Sequence, residues 1–194
     1  MTRKLMLCLS IIVLSTVVNL QAQSLNVAQQ GDKALLFNFV GLSTLNLNAY
    51  QGGIGGKYFL SDGLAIRAML LFGLDNKTTS GPPQSTDNSL SFGIGGGLEY
   101  HLPLASSLSP YLGGVFSFLN SAETTNPGGG RTNSTSFGVG AIGGLEYFFN
   151  QNLSLGAEYQ FGISSTNSSE TGLPNSSELK LGFQTAGLTL AAYF

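Results

Sequence analysis

The chain has 194 residues, of which 9% are charged and 27 are glycine. An ordinary soluble domain carries about 25% charged residues, so something other than ionised side chains must make this surface compatible with its surroundings. The formal charge of −2 offers no basic footprint for nucleic acid, and beyond residue 20 no apolar run approaches the roughly 20 residues of a membrane-crossing helix.

The first element is MTRKLMLCLSIIVLSTVVNLQAQ, in which Arg3 and Lys4 precede an apolar run from Leu5 to Leu20 and Ala22 offers a small residue for cleavage. This pattern predicts a secretory signal peptide over residues 1–22. A membrane anchor would need a longer run, and polar sequence follows at once. Cys8, the single cysteine, lies inside this segment without the small-residue setting of a lipoprotein site, so the exported chain has neither thiol chemistry nor disulfides. Loss of Arg3 and Lys4 leaves six basic against ten acidic residues, a net charge of about −4. Residues 23–32 form a lead-in segment, and residues 33–194 form one domain.

That domain is read as strands. Weak alternation marks 33–44 and 49–60. GLAIRAMLLFGLD follows, with Leu64, Ile66, Ala68, Leu70, Phe72 and Leu74 in one parity. SLSFGIGGGLEYHL repeats the design with Leu90, Phe92, Ile94, Leu98, Tyr100 and Leu102. The strand at 110–121 is ambiguous, because Tyr111, Gly113 and Val115 compete with Leu112, Phe116 and Phe118. SFGVGAIGGLEYFF and LSLGAEYQFGIS are unambiguous again, with Phe137, Val139, Ala141, Leu145, Tyr147 and Phe149, then Leu153, Leu155, Ala157, Tyr159, Phe161 and Ile163, on their apolar faces. In 178–194 the parity of Leu179, Leu181 and Phe183 opposes that of Leu188, Leu190 and Phe194, and a bulge near Gln184 and Thr185 reconciles the two. Period-two alternation in eight segments defines an all-β chain.

The connections differ by end. LSDG (60–63), PLASSLSP (103–110) and NQN (150–152) read as short turns, whereas NKTTSGPPQSTDNS (76–89), AETTNPGGGRTNS (122–134) and TNSSETGLPNSS (166–177) read as long polar loops. Eight strands close around an interior that side chains can just fill. The uniformly apolar parity is too bulky for that interior, and facing lipid it explains the scarcity of surface charge. The expected fold is therefore an eight-stranded antiparallel transmembrane β-barrel of up-and-down topology.

Three strands share a motif: GGIGGKYFL at 52–60, SFGIGGGLEY at 91–100 and SFGVGAIGGLEY at 136–147. Each ends just before a short turn, which places Tyr58, Tyr100 and Tyr147 at one lipid interface, where a ring sits in the apolar zone and its hydroxyl in water. GVGAIGG within the third formally matches the dinucleotide-binding GxGxxG. That fingerprint requires a helix after the glycines, but LEYFF and a turn follow, so the glycines are assigned to a crowded lumen and to strand curvature.

Candidate chemistry is confined to inward positions. Lys57, Arg67, Glu99, Glu146 and Glu158 all have lumen parity near the short turns and are expected to form one polar layer, acting as a gate across a water path or as a plug that fixes strand register. Inward Met69, Leu71, Phe148 and Phe183 are expected to fill the space the glycines leave, and inward Ser154 and Gln160, provided the lumen can hold the longer side chain, to accept arginine more readily than outward Leu70 or Phe161. His101, the single histidine, also points inward. Its sequence neighbours Glu99 and Ser91 make no recognisable nucleophile arrangement, and one His with scattered carboxylates and no Cys makes no metal-ligand set. No catalytic residue, cofactor or metal is expected, and the Gly128–Gly130 run with Arg131 reads as a loop tip.

The alternating strands, the Gly-Leu-Glu-Tyr strand ends, the Pro110-Tyr111-Leu112-Gly113-Gly114 strand start and the terminal Phe194 together resemble the small outer-membrane β-barrel family of the OmpA and OmpX type over Lys33–Phe194. The resemblance implies a monomer in the lipid of a bacterial outer membrane, with residues 23–32 and both termini in the periplasm. It implies that Phe194 belongs to the signal read by the barrel assembly machinery, and that the exposed loops meet an extracellular surface partner in a structural or adhesion-type role. The alternatives are a narrow, porin-like conduit or binding pocket for a small molecule and, third, a lipid-modifying enzyme.

Overall fold

The computed structural model describes residues 29–40, 49–79, 85–102, 107–126, 130–170, 172 and 174–194. The signal peptide, most of the lead-in segment, residues 41–48 of the first connection and Gly128 and Gly129 lie outside them. The strands are β1 (Lys33–Val40), β2 (Ala49–Ser61), β3 (Leu64–Thr79), β4 (Ser85–His101), β5 (Leu108–Asn126), β6 (Gly130–Asn150), β7 (Leu153–Glu170) and β8 (Ser176–Tyr193). Each pairs antiparallel with its sequence neighbour, and β1 pairs with β8, which closes the barrel. Closure satisfies the backbone of every strand within the sheet, the condition for crossing hydrocarbon without a free edge.

The facing follows the sequence alternation. Leu70 is 50% exposed and Phe92 60%, while Leu36, Phe59 and Phe148 on the opposite parity are buried. The ambiguous fifth strand is settled by Tyr111, which is buried, against Leu112, Phe116 and Phe118, which are exposed. Along β6 the outward row from Phe137 to Phe149 covers twelve residue steps. That is about 40 Å of strand at ~3.3 Å per residue, or about 30 Å along the axis at a ~40° tilt, the depth of a bilayer's hydrocarbon core.

The expected bulge is present. Gln160 pairs with Thr185 and Phe161 with Phe183, so Gln184 is the extra residue of β8. It moves Leu179 and Leu181, both strongly exposed, into phase with the outward residues that follow. The Phe183 side chain, expected in the lumen, lies outside the described side chains. At the short-turn end Gly63 adopts φ 78°, a left-handed conformation that glycine takes without steric cost. Its carbonyl accepts the His101 amide at 2.7 Å.

The three polar tracts correct the sequence reading, because they are largely strand. β3 runs to Thr79, β5 to Asn126 and β7 to Glu170, and β4, β6 and β8 begin within the same tracts. Composition alone suggested loops, but a hairpin ladder propagates wherever facing side chains pair across it. Ser134 pairs with Ser168 and Ser136 with Thr166, both at 2.8 Å, and Ser91 donates to Ser121 at 3.0 Å. The wall of the barrel thus continues well past its apolar belt.

Candidate functional site

The five charged inward residues near the short turns come from five strands and meet at one level. Lys57 on β2 places Nζ 2.9 Å from Glu99 Oε2 and 3.1 Å from Glu146 Oε2. Arg67 on β3 reaches Glu99 Oε1 at 2.9 Å and grips Glu158 with both terminal nitrogens, at 2.7 and 3.3 Å. All five expected residues are brought together, and each is at most 8% exposed. Isolated charges buried this deeply would be costly, and mutual pairing is what makes the arrangement tolerable.

Uncharged groups complete the layer. Tyr111 donates to Glu158 at 3.0 Å, Gln160 to the same carboxylate at 2.9 Å, and Tyr193 to Glu146 at 2.8 Å; the Ser154 hydroxyl also donates to Glu146. His101 lies with Nε2 3.2 Å from Glu99 and Nδ1 3.1 Å from Ser109 Oγ, stacked on Tyr111 at 5.0 Å and tilted against Phe59 at 5.2 Å. The hydroxyl near the imidazole is that of Ser109, whereas Ser91 pairs with Ser121 elsewhere. Because the ring is 2% exposed and sandwiched between aromatic groups, this hydroxyl, imidazole and carboxylate series ties strands together and leaves no room for a substrate. Among the described residues no group of three or more His, Cys, Asp or Glu is placed to hold a metal.

Glycine makes the layer possible at one point in particular. Gly144 on β6 pairs with Tyr111 and with Glu158, and a Cβ there would fall on the Tyr111 ring. Only a bare backbone lets that ring lie across the lumen to its carboxylate. Toward the termini the layer rests on an apolar cluster of Ala34, Leu36, Phe59, Ala65, Phe148, Ala191 and Tyr193, with Phe148 and Tyr193 rings 5.4 Å apart. Away from the termini the lumen widens into a cavity of about 230 Å³.

At Ser154 the condition attached to its lumen parity is not met: its side chain is fully buried and bound to Glu146, with no room for a longer one. Parity reports a face and not the space available on it. His101 and Tyr193 carried the right parity in the sequence, but nothing there fixed the distances that join them to the layer. Of the three tyrosines expected at a lipid interface, Tyr58 and Tyr100 face outward and exposed, and Tyr147 is half-buried with its ring edge-on to Phe149 at 5.3 Å.

A closed antiparallel barrel with an apolar belt outside and a paired polar lumen inside defines a bilayer-spanning β-barrel. The chain belongs to the family of outer membrane protein beta-barrel domains, which it matches over residues 11–194. Among solved structures it is similar to the outer membrane protein OprG of Pseudomonas aeruginosa, with 12% identity, 86% of this chain and 97% of that one covered and a TM-score of 0.52. It is similar to outer membrane protein W of E. coli, with 12% identity, 86% and 99% covered and a TM-score of 0.50. Neisserial surface protein A aligns with 20% identity over 82% of this chain and 94% of that one, with a TM-score of 0.48. No curated protein sequence matches the chain. At these identities the structural likeness establishes the fold alone.

Proposed function

We propose that the protein is a closed outer-membrane barrel with a structural and surface-directed role, its extended polar hairpins meeting an extracellular partner. The observation that carries this reading is the buried layer of Lys57, Arg67, Glu99, Glu146 and Glu158, which fills the lumen and acts as a plug that fixes strand register. The continuation of β3 to β8 past the apolar belt supports the surface role. In this proposal residues 1–22 are cleaved on export and the end carrying both termini faces the periplasm. Tyr58, Tyr100 and Tyr147 then anchor the inner lipid interface. Phe194, exposed and with its amide donating to the Lys33 carbonyl at 3.0 Å, presents the terminal aromatic to the assembly machinery, and the barrel works as a monomer.

The test has two arms. In planar bilayers the folded protein is expected to give at most rare, small conductance steps, and large stable channels would overturn the closed reading. Cells displaying the barrel with residues 122–134 and 166–177 replaced by Gly-Ser hairpins are expected to lose adhesion, and unchanged adhesion would remove the surface role. The porin-like alternative keeps one observation in its favour, the cavity above the layer. If the layer is a gate, Lys57→Ser with Arg67→Ser should raise conductance while the barrel stays folded.

A further inference from the structure

The cavity of about 230 Å³ lies against the polar layer, with Arg67 and Glu158 in its floor. Its two sides differ in chemistry. On the side of β7, β8 and β1 stand Gln160, Thr189 and Asn38, and on the side of β3 and β5 stand Met69, Leu71 and Leu119. The charges it touches are already consumed, because Arg67 and Glu158 hold each other in a two-point pair. The polar side is therefore neutral to a guest. Asn38 donates to Thr189 at 2.8 Å and Gln160 to Glu158 at 2.9 Å. These bonds use one hydrogen of each amide and leave two amide oxygens, one hydrogen on each amide nitrogen and one hydroxyl hydrogen for an incoming group.

Size narrows the guest. A dry cavity of about 150 Å³ takes benzene, whereas drug-sized ligands need about 300 Å³ or more. This one falls between them, large enough for one ring with a short substituent. We propose that the cup binds a small neutral ring compound carrying a hydrogen-bonding group, of the phenol type, with the ring against Met69, Leu71 and Leu119 and the polar group toward Asn38, Gln160 and Thr189. The proposal rests on the closed-barrel reading, since the ion-pair floor makes the space a cup rather than a passage. A carboxylate guest would surrender its hydration without finding a free counter-charge.

The folded barrel in lipid nanodiscs is titrated with 4-ethylphenol while the ε-methyl carbon signal of Met69, assigned by its loss in Met69→Leu, is followed by NMR. A saturable shift is expected, together with its disappearance in Ser117→Phe. Ser117 borders the cup and pairs with Gly95 on one strand and Gly138 on the other, so the new ring lies over bare backbone and occupies the site. A linear drift in both proteins would mean partition into lipid and overturn the proposal, as would equal saturation in folded Ser117→Phe. Equal saturation by 4-ethylbenzoate would overturn the neutral class. Should Ser117→Phe fail to fold, Leu71→Ala serves instead. It is expected to admit 4-butylphenol, which the wild type excludes, and no difference between the two proteins would refute the cup. Large channels in bilayers would sink the closed floor whatever the titration gives, and an unsaturable titration with silent bilayers would sink the cup alone.

Discussion

Lys57→Met is the sharpest perturbation of the layer. Its ammonium serves two carboxylates, Glu99 at 2.9 Å and Glu146 at 3.1 Å, from a side chain 5% exposed. Lys57 and Arg67 stand against three carboxylates, a balance of −1 among these five residues that the substitution takes to −2. Removing one partner from a buried pair leaves an uncompensated charge and costs about 3 to 5 kcal/mol. Glu146 would keep Tyr193 and Ser154, and Glu99 would keep Arg67 and His101, which places the expected loss toward the lower end of that range. Glu99→Gln moves the balance the other way, to zero, and its amide oxygen still accepts from Lys57. Its expected cost is about 1 to 2 kcal/mol, that of weakened hydrogen bonds.

The pair of variants therefore differs by about 1 to 2 kcal/mol, or about five- to thirty-fold in folded-to-unfolded ratio. Equilibrium urea unfolding in thin-bilayer vesicles measures it, read by tyrosine fluorescence, since the chain has seven tyrosines and no tryptophan. Lys57→Met combined with Glu146→Gln should recover part of the loss, because the carboxylate left behind is then uncharged. A Glu99→Gln loss equal to or greater than that of Lys57→Met, or a double variant no better than the single, would refute the charge-balance account.

Leu70→Arg and Phe161→Arg, outward in the apolar belt, are each expected to cost about 2 to 4 kcal/mol in bilayers, measured by the same unfolding assay. Ser154→Arg should now join that severe class, because its fully buried side chain leaves no room and it removes a hydrogen bond to Glu146, while Gln160→Arg, on the cup, should be milder; equal losses for both inward sites would contradict the cavity's placement. Gly144→Ala should displace the Tyr111 ring and break its bond to Glu158, costing about 1 to 3 kcal/mol by overpacking, visible as loss of the Tyr111 ring signals' native dispersion in NMR. Deleting Gln184 removes the extra residue and puts Leu179 and Leu181 in unbroken alternation with Leu188 and Leu190, so the variant is expected to keep the heat-modifiable gel mobility of the folded barrel, and loss of that mobility would contradict the bulge assignment.

How far the sequence could be read depended on whether the information was periodic or metric. Period-two alternation placed the strands, the lipid face and even the Gln184 bulge, because parity is set by the pleat and survives any detail of packing. It also put five charges on one side of the sheet near one end. What parity cannot carry is the stagger of a closed barrel, which decides which inward residues share a level. Lys57 and Arg67 are direct neighbours across β2 and β3, but Lys57 and Glu146 lie on strands that never pair, and their 3.1 Å contact exists only because the cylinder closes. The polar tracts failed in the opposite direction. Serine, threonine and asparagine look like loop composition in isolation, and they are strand here, with several of them meeting a hydroxyl or amide across the ladder. The same long-range closure that hid the layer from the sequence gives it its strength as a plug, since its ion pairs join strands on opposite walls, and loosening any one strand must break contacts with several others.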